Sequence, residues 1–217
     1  NYPTPYEDSK RTITVSNFSE LRQAVEVTYK NGDITVLCND GVYQVPAGEY
    51  FSVSGDHTTI KSKSGNRDKV VIKGLGMNGS GNSVIHISAD YVAIKDLTIS
   101  DTKNHGIQIH GEKPYNADYA YISNVVFKDI NEQMIKGSGN DENSHTNNGI
   151  IENCLFYYSK GVANQDYCGG IDIHRGTNWV IHKNEFRNIK SPNSTLTEGA
   201  IHFWSESGST YIANNKI

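Results

Sequence analysis

Lys136, Asp172, His174 and Arg175 are residue types that move protons and hold anions. A lysine or histidine whose pKa is tuned by its neighbours serves as a base. An arginine grips a carboxylate through two parallel hydrogen bonds. Together these types suit abstraction of a proton beside a carboxylate. Gln108, His110, His202, Trp204 and Tyr167 add hydrogen-bonding and stacking groups for a substrate. Asp172 with His174 and His202 could hold a metal ion if neighbouring strands lie about 4.8 Å apart. Two carboxylates about 5–9.5 Å apart would favour glycoside hydrolysis instead. Asp172 with Glu198, Glu206 or Asp166 is the candidate pair for that chemistry.

These residues lie far apart in the chain, so a repeating scaffold must bring them together. Ile94, Ile122, Ile151, Ile181 and Ile212 each open a similar six-residue pattern, at intervals of 28, 29, 30 and 31 residues. Asp or Asn follows at Asp96, Asn124, Asn153 and Asn214. These types tolerate the left-handed backbone region, and an Asn amide can bond to its equivalent in the next layer. A second alternating segment recurs at Val84–Ile87, Gly106–His110, Gln133–Lys136, Gly170–His174 and Gly199–Trp204. Each has one apolar face, which a single repeat cannot bury but a stack can. Stacking places His86, Gln108, Asp172 and His202 in one outward row. His110, Lys136, His174 and Trp204 form a second row. Loops 111–118, 138–148 and 160–169 flank these rows, with Tyr167 in the last. The intervals are too short for propeller blades, and the leucine-rich pattern is absent. The reading is an all-β, right-handed parallel β-helix solenoid, with 1–217 as one domain.

Residues 17–30 read as an amphipathic helix that caps the solenoid, within an N-terminal cap of about residues 1–33. Asn17 and Glu20 form a capping-box pattern, and Asn31-Gly32 stops the helix. Strands are expected from Ile34 onward. Trp179 falls in the inward row and is read as core. The chain stops at Ile217 in mid-repeat, so the open end is expected to self-associate or to continue in a longer protein.

Composition agrees with many short strands and turns: 23 Asn, 20 Gly, 22 Ile and 13 Tyr. No 18-residue apolar stretch exists, which argues against membrane insertion. A net charge of −4 supplies no basic footprint for a nucleic acid. Cys38, Cys154 and Cys168 are too few for a disulfide framework.

The segments Ile13–Val25, Gly32–Leu37 and Asp40–Tyr43, followed by the repeats from residue 84, resemble bacterial polysaccharide lyases of the pectate-lyase-like superfamily. Those acting on alginate or chondroitin come closest. The resemblance implies a secreted, periplasmic or cell-surface protein that acts on an acidic polysaccharide or oligosaccharide, often with Ca²⁺. Lyase chemistry on a uronate needs a base, a group that stabilises the enolate-like intermediate and an acid. Lys136 or His174 would be the base, Arg175 would grip the carboxylate, and Trp204 would stack on a sugar. An epimerase would return the proton from the other side. The acidic calcium motif is not evident, its nearest counterpart being Asn140–Asn143. The signatures of the pectin hydrolases are missing. A non-catalytic carbohydrate-binding or tail-fibre β-helix is the reading from a different class.

Overall fold

A computed structural model describes residues 3–81, 83–112, 115–141, 143–195 and 197–217. Glu142, inside the calcium-motif counterpart, lies outside the described residues. The chain coils through three parallel sheets, of eight, six and six strands, visiting each sheet in turn. The eight-stranded sheet stacks Ile60, Ile94, Ile122, Ile151, Ile181 and Ile212 in one column. That is the alignment the repeat pattern predicts. In a second sheet Ile99, Phe127, Phe156 and Phe186 pair in register. The three phenylalanine rings stack at 4.8 and 4.6 Å. Within the isoleucine and phenylalanine columns an interior side chain therefore packs between copies of itself.

The corners between sheets need left-handed backbone. Asp96, Asn124, Asn153, Lys183 and Asn214 all adopt φ between 54° and 57°. The Asn124 amide donates to Asp96 Oδ1 at 2.9 Å. Where Lys183 takes the corner, the buried Asn184 beside it supplies the ladder: it accepts from the Cys154 N–H and donates to the Ile151 carbonyl. A second left-handed corner stacks His57, Tyr91 and Tyr119 at 4.6 and 4.4 Å, and then continues as Asn148 and Asn178.

The N-terminus differs from expectation in two ways. A first strand, Thr12–Val15, already pairs with Ile34–Cys38 before the helix begins. The α-helix covers Phe18–Gln23 and then widens into a π-type segment, Ala24–Thr28. Asn17 caps it by accepting from the Glu20 N–H at 2.9 Å. Phe18, Leu21 and Val25 are buried against the first coil, with Phe18 edge-on to Phe51. In the widened turn Glu26 accepts from both Arg22 Nε and the Ser52 N–H, which ties the cap to the neighbouring sheet. Cys38, Cys154 and Cys168 are buried free thiols. Among the described residues no helix is long and apolar enough to cross a membrane.

Trp179 is fully buried, as its inward position predicts, and its Nε1–H donates to the Thr146 carbonyl at 2.8 Å. A Cβ added at Gly149 would lie 2.2 Å from ring atom Cζ3. Overpacking of this kind costs about 1–3 kcal/mol. Gly149→Ala is therefore expected to lower the denaturant midpoint of unfolding, and an unchanged midpoint would refute this account of the packing.

Candidate active site

The third sheet carries the candidate residues. Its strands are Phe51–Val53, Ile85–Ile87, Ile107–Gly111, Gln133–Gly139, Gly169–His174 and Gly199–Trp204. Alternation turns Ile107, Ile135, Ile171 and Ile201 inward. The next position along each strand faces out. One outward row thus reads Ser52, His86, Gln108, Lys136, Asp172 and His202. The second row holds His110 beside Ser138 and His174 beside Trp204.

Lys136 belongs to the first row, not to the second row that its motif suggested. The strand runs three residues past it, to Gly139. Gly137 takes the inward position that isoleucine fills in the flanking layers, at Ile109 and Ile173. A Cβ at Gly137 would lie 2.6 Å from Ile173 Cδ1, so the neighbouring isoleucine fills the gap. Without an apolar marker at Gly137 the motif looked one step shorter. The shift sets Lys136 directly beside Asp172.

Lys136 Nζ forms a close ion pair with Asp172 Oδ2 and lies 2.9 Å from His174 Nε2. Asp172 is 1% exposed and Lys136 12%, so the pair is largely shielded from water. The other oxygen of Asp172 lies 3.0 Å from His202 Nδ1. The Trp204 indole N–H donates to His174 Nε2, and the two rings meet edge-on with centroids 4.2 Å apart. His202 stacks on the far side of Trp204 at 5.9 Å. An ammonium and an indole N–H can only donate. Toward these two donors His174 Nε2 is the acceptor, with the ring proton on Nδ1, and Asp172 Oδ2 lies 3.2 Å from the same nitrogen. Burial, followed by the charge of Lys136, lowers the pKa of His174, which agrees with a neutral ring.

The remaining predicted residues surround this centre. Gln108 and His110 line an adjoining cavity of about 330 Å³, with Tyr50, Ser83, His86, Asn104 and Glu112. His110 is held by Ser138 Oγ at 2.7 Å and by Asn140 Oδ1 at 2.6 Å. Tyr167 is half-exposed on a second cavity of about 430 Å³, with Asp166, Thr197, Glu198 and His202. Arg175 is not drawn into the cluster. It donates to Glu206 Oε2 and to the Gly139 carbonyl, each at 3.1 Å, and so bridges three successive layers at the rim. Tyr50, Ser83, Asn104 and Glu112 escaped the sequence reading because they lie outside the aligned core of the repeat.

His174 does not join a metal trio, because its Nε2 turns to Lys136 and Trp204. Glu198 takes its place: the ligand atoms of Asp172, Glu198 and His202 all lie within 4.8 Å of one another. This group could hold a cation. Ca²⁺ takes about six to eight oxygen ligands. One ring nitrogen and two carboxylates do not match that shell.

No protein-family model matches the chain, and no curated protein does. Among solved structures, a provisionally assigned glycosyl hydrolase from Parabacteroides merdae superposes with a TM-score of 0.65 at 11% identity, over 94% of this chain and 97% of its own. The chain is a parallel β-helix. An alginate lyase from Paenibacillus sp. aligns over 96% of this chain and all of its own, with 13% identity and a TM-score of 0.43. A PL6 family alginate lyase aligns over the whole chain and 41% of its own, with 12% identity and a TM-score of 0.37. Of the three, the first carries the argument for the fold.

His105, just ahead of the strand Ile107–Gly111, has Nδ1 2.9 Å from the Gln133 carbonyl and Nε2 3.5 Å from Glu132. Burial takes its pKa from 6.5 to about 4, against the opposing pull of the Gln133 carbonyl. The unfolded chain binds this proton more readily, so the stability it confers is full above pH 6.5 and lost as pH falls toward 4. The loss is on the order of 3 kcal/mol. Urea unfolding between pH 7 and 4 is expected to show a shallower pH dependence for His105→Asn than for the parent. Identical dependences would refute the assignment.

Proposed function

We propose that this protein is a polysaccharide lyase or epimerase acting on a uronate-containing glycan outside the cytoplasm. The observation that carries the reading is the convergence of Lys136, Asp172 and His174 on one open sheet face. His174 is neutral, and its Nε2 lone pair, which faces Lys136 and Trp204 in the free protein, takes the proton α to the uronate carboxylate once Lys136 turns to the glycosidic oxygen and Trp204 to the sugar. Those electrons form the new C=C bond as the glycosidic C–O bond breaks. Lys136, an ammonium beside Asp172, donates a proton to the departing oxygen. Asp172 holds that ammonium in place. Arg175 has five N–H donors, of which two are engaged with Glu206 and Gly139. The rest receive the substrate carboxylate at the rim. Trp204 leaves His174 to stack on a sugar ring as substrate enters. An epimerase would protonate the intermediate from the opposite face before the C–O bond breaks.

The named activity of the glycosyl hydrolase relative supports a carbohydrate substrate, as do the two cavities beside the cluster, one of them lined by His86, Gln108, His110 and Glu112 and the other by Tyr167, Glu198 and His202. A carboxylate pair favours a second reading. Asp172 and Glu198 oxygens lie within 4.8 Å, near the separation used by retaining glycosidases. Reducing ends formed without an unsaturated chromophore would select this hydrolase reading.

Incubation with alginate, polygalacturonate and glycosaminoglycans is expected to yield the ultraviolet absorbance of an unsaturated uronate on at least one of them. Lys136→Ala and His174→Ala should each lower kcat/KM by about 10²-fold or more with the parent circular dichroism spectrum kept, and Lys136→Ala should also lower the melting temperature because it leaves the buried Asp172 without its cation. Absence of the chromophore on every polyuronate, together with no change at the proton-bearing carbon by NMR, would overturn both versions.

A further inference from the structure

We propose that Asp172, Glu198 and His202 form a binding site for a divalent cation of the zinc or manganese type. The metal would be held by His202 Nδ1 and one oxygen from each carboxylate. The inference does not depend on the reaction proposed above, since it concerns binding alone.

Three observations carry it. First, His202 Nδ1 lies 3.0 Å from Asp172 Oδ1 and 2.5 Å from Glu198 Oε2. A ring nitrogen bears at most one hydrogen. Two anionic oxygens therefore compete for a single donor, and a cation among the three atoms satisfies all of them. Tetrahedral zinc with bonds near 2.1 Å sets its ligand atoms about 3.4 Å apart. The present spacings reach that with small side-chain rotations.

Second, the cradle is already organised. Asp172 is buried, and its second oxygen is fixed by Lys136. Outer contacts of this kind orient metal ligands. His202 and Glu198 are partly exposed on the wall of the cavity that holds Tyr167, which leaves an open face for water or a ligand oxygen.

Third, a polar group without a partner borders the site. Gln133 is fully buried, and among the described residues neither its Nε2 nor its Oε1 has a hydrogen-bond partner. A Cβ placed on Gly169 would lie 2.9 Å from Glu198 Cβ and 3.4 Å from Gln133 Cγ, so both side chains border the same glycine. A metal-bound water would give that amide a partner. The donor set also decides the class of metal. Imidazole nitrogen suits zinc and related transition ions, whereas Ca²⁺ and Mg²⁺ favour all-oxygen shells.

The test uses the intact chain, stripped with a chelator and titrated calorimetrically with Zn²⁺, Mn²⁺ and Ca²⁺ in turn. One equivalent of Zn²⁺ or Mn²⁺ is expected to bind at least tenfold more tightly than Ca²⁺. His202→Ala and Glu198→Gln should each weaken that binding at least tenfold while keeping the parent circular dichroism spectrum. Co²⁺ should give a visible absorption band that His202→Ala abolishes. Three results would each overturn the proposal: no saturable binding of Zn²⁺ or Mn²⁺, equal or tighter binding of Ca²⁺, or full affinity in both variants. All of these are read without sugar, so a failed lyase assay leaves the metal proposal standing, and the converse also holds.

Discussion

Everything in this molecule depends on the register of one coil over the next. Parallel pairing puts each residue beside its equivalent in the adjacent layer, about 4.8 Å away. Apolar residues at those positions become columns, as Ile94 through Ile212 and Phe127 through Phe186 do. The same rule acts on the outer face. A lysine, an aspartate and a histidine separated by 36 and 30 residues become immediate neighbours because their layers are stacked in step.

Register also explains the electrostatics of the site. Like charges in one outward column would repel at such spacing. Here the column alternates in chemical type: Gln108, Lys136, Asp172, His202. Asp172 occupies the middle and divides its oxygens, one toward Lys136 and the other toward His202. Removing water from this carboxylate would be unfavourable if it stood alone. Its neighbours on both sides make the burial tolerable.

Much of the scaffold was legible in the sequence because periodicity survives substitution. The isoleucine column, the Asp and Asn corners, the inward Trp179 and the capping helix could all be read from spacing. The strand Thr12–Val15 was missed because four residues ahead of a helix make a weak alternating signal. The row position of Lys136 was misread because a glycine stands where an isoleucine marks the other layers. The site was legible as a set of residue types but not as contacts. Nothing in the local sequence says that Arg175 would be held by Glu206, or that Glu198 rather than His174 would stand beside His202. Those outcomes depend on where side chains in neighbouring turns point.

From Ile94 to Ile212 the spacing of the isoleucine column lengthens by one residue at each step, from 28 to 31, yet the column stays in register. The extra residues are absorbed by the connecting segments. Insertion and deletion are thereby uncoupled from the chemistry. A lineage built on this coil can lengthen or trim its loops, and so reshape what the groove admits, without moving Lys136 relative to Asp172. The shape of the loops and the geometry of the outward rows are then free to evolve at different rates.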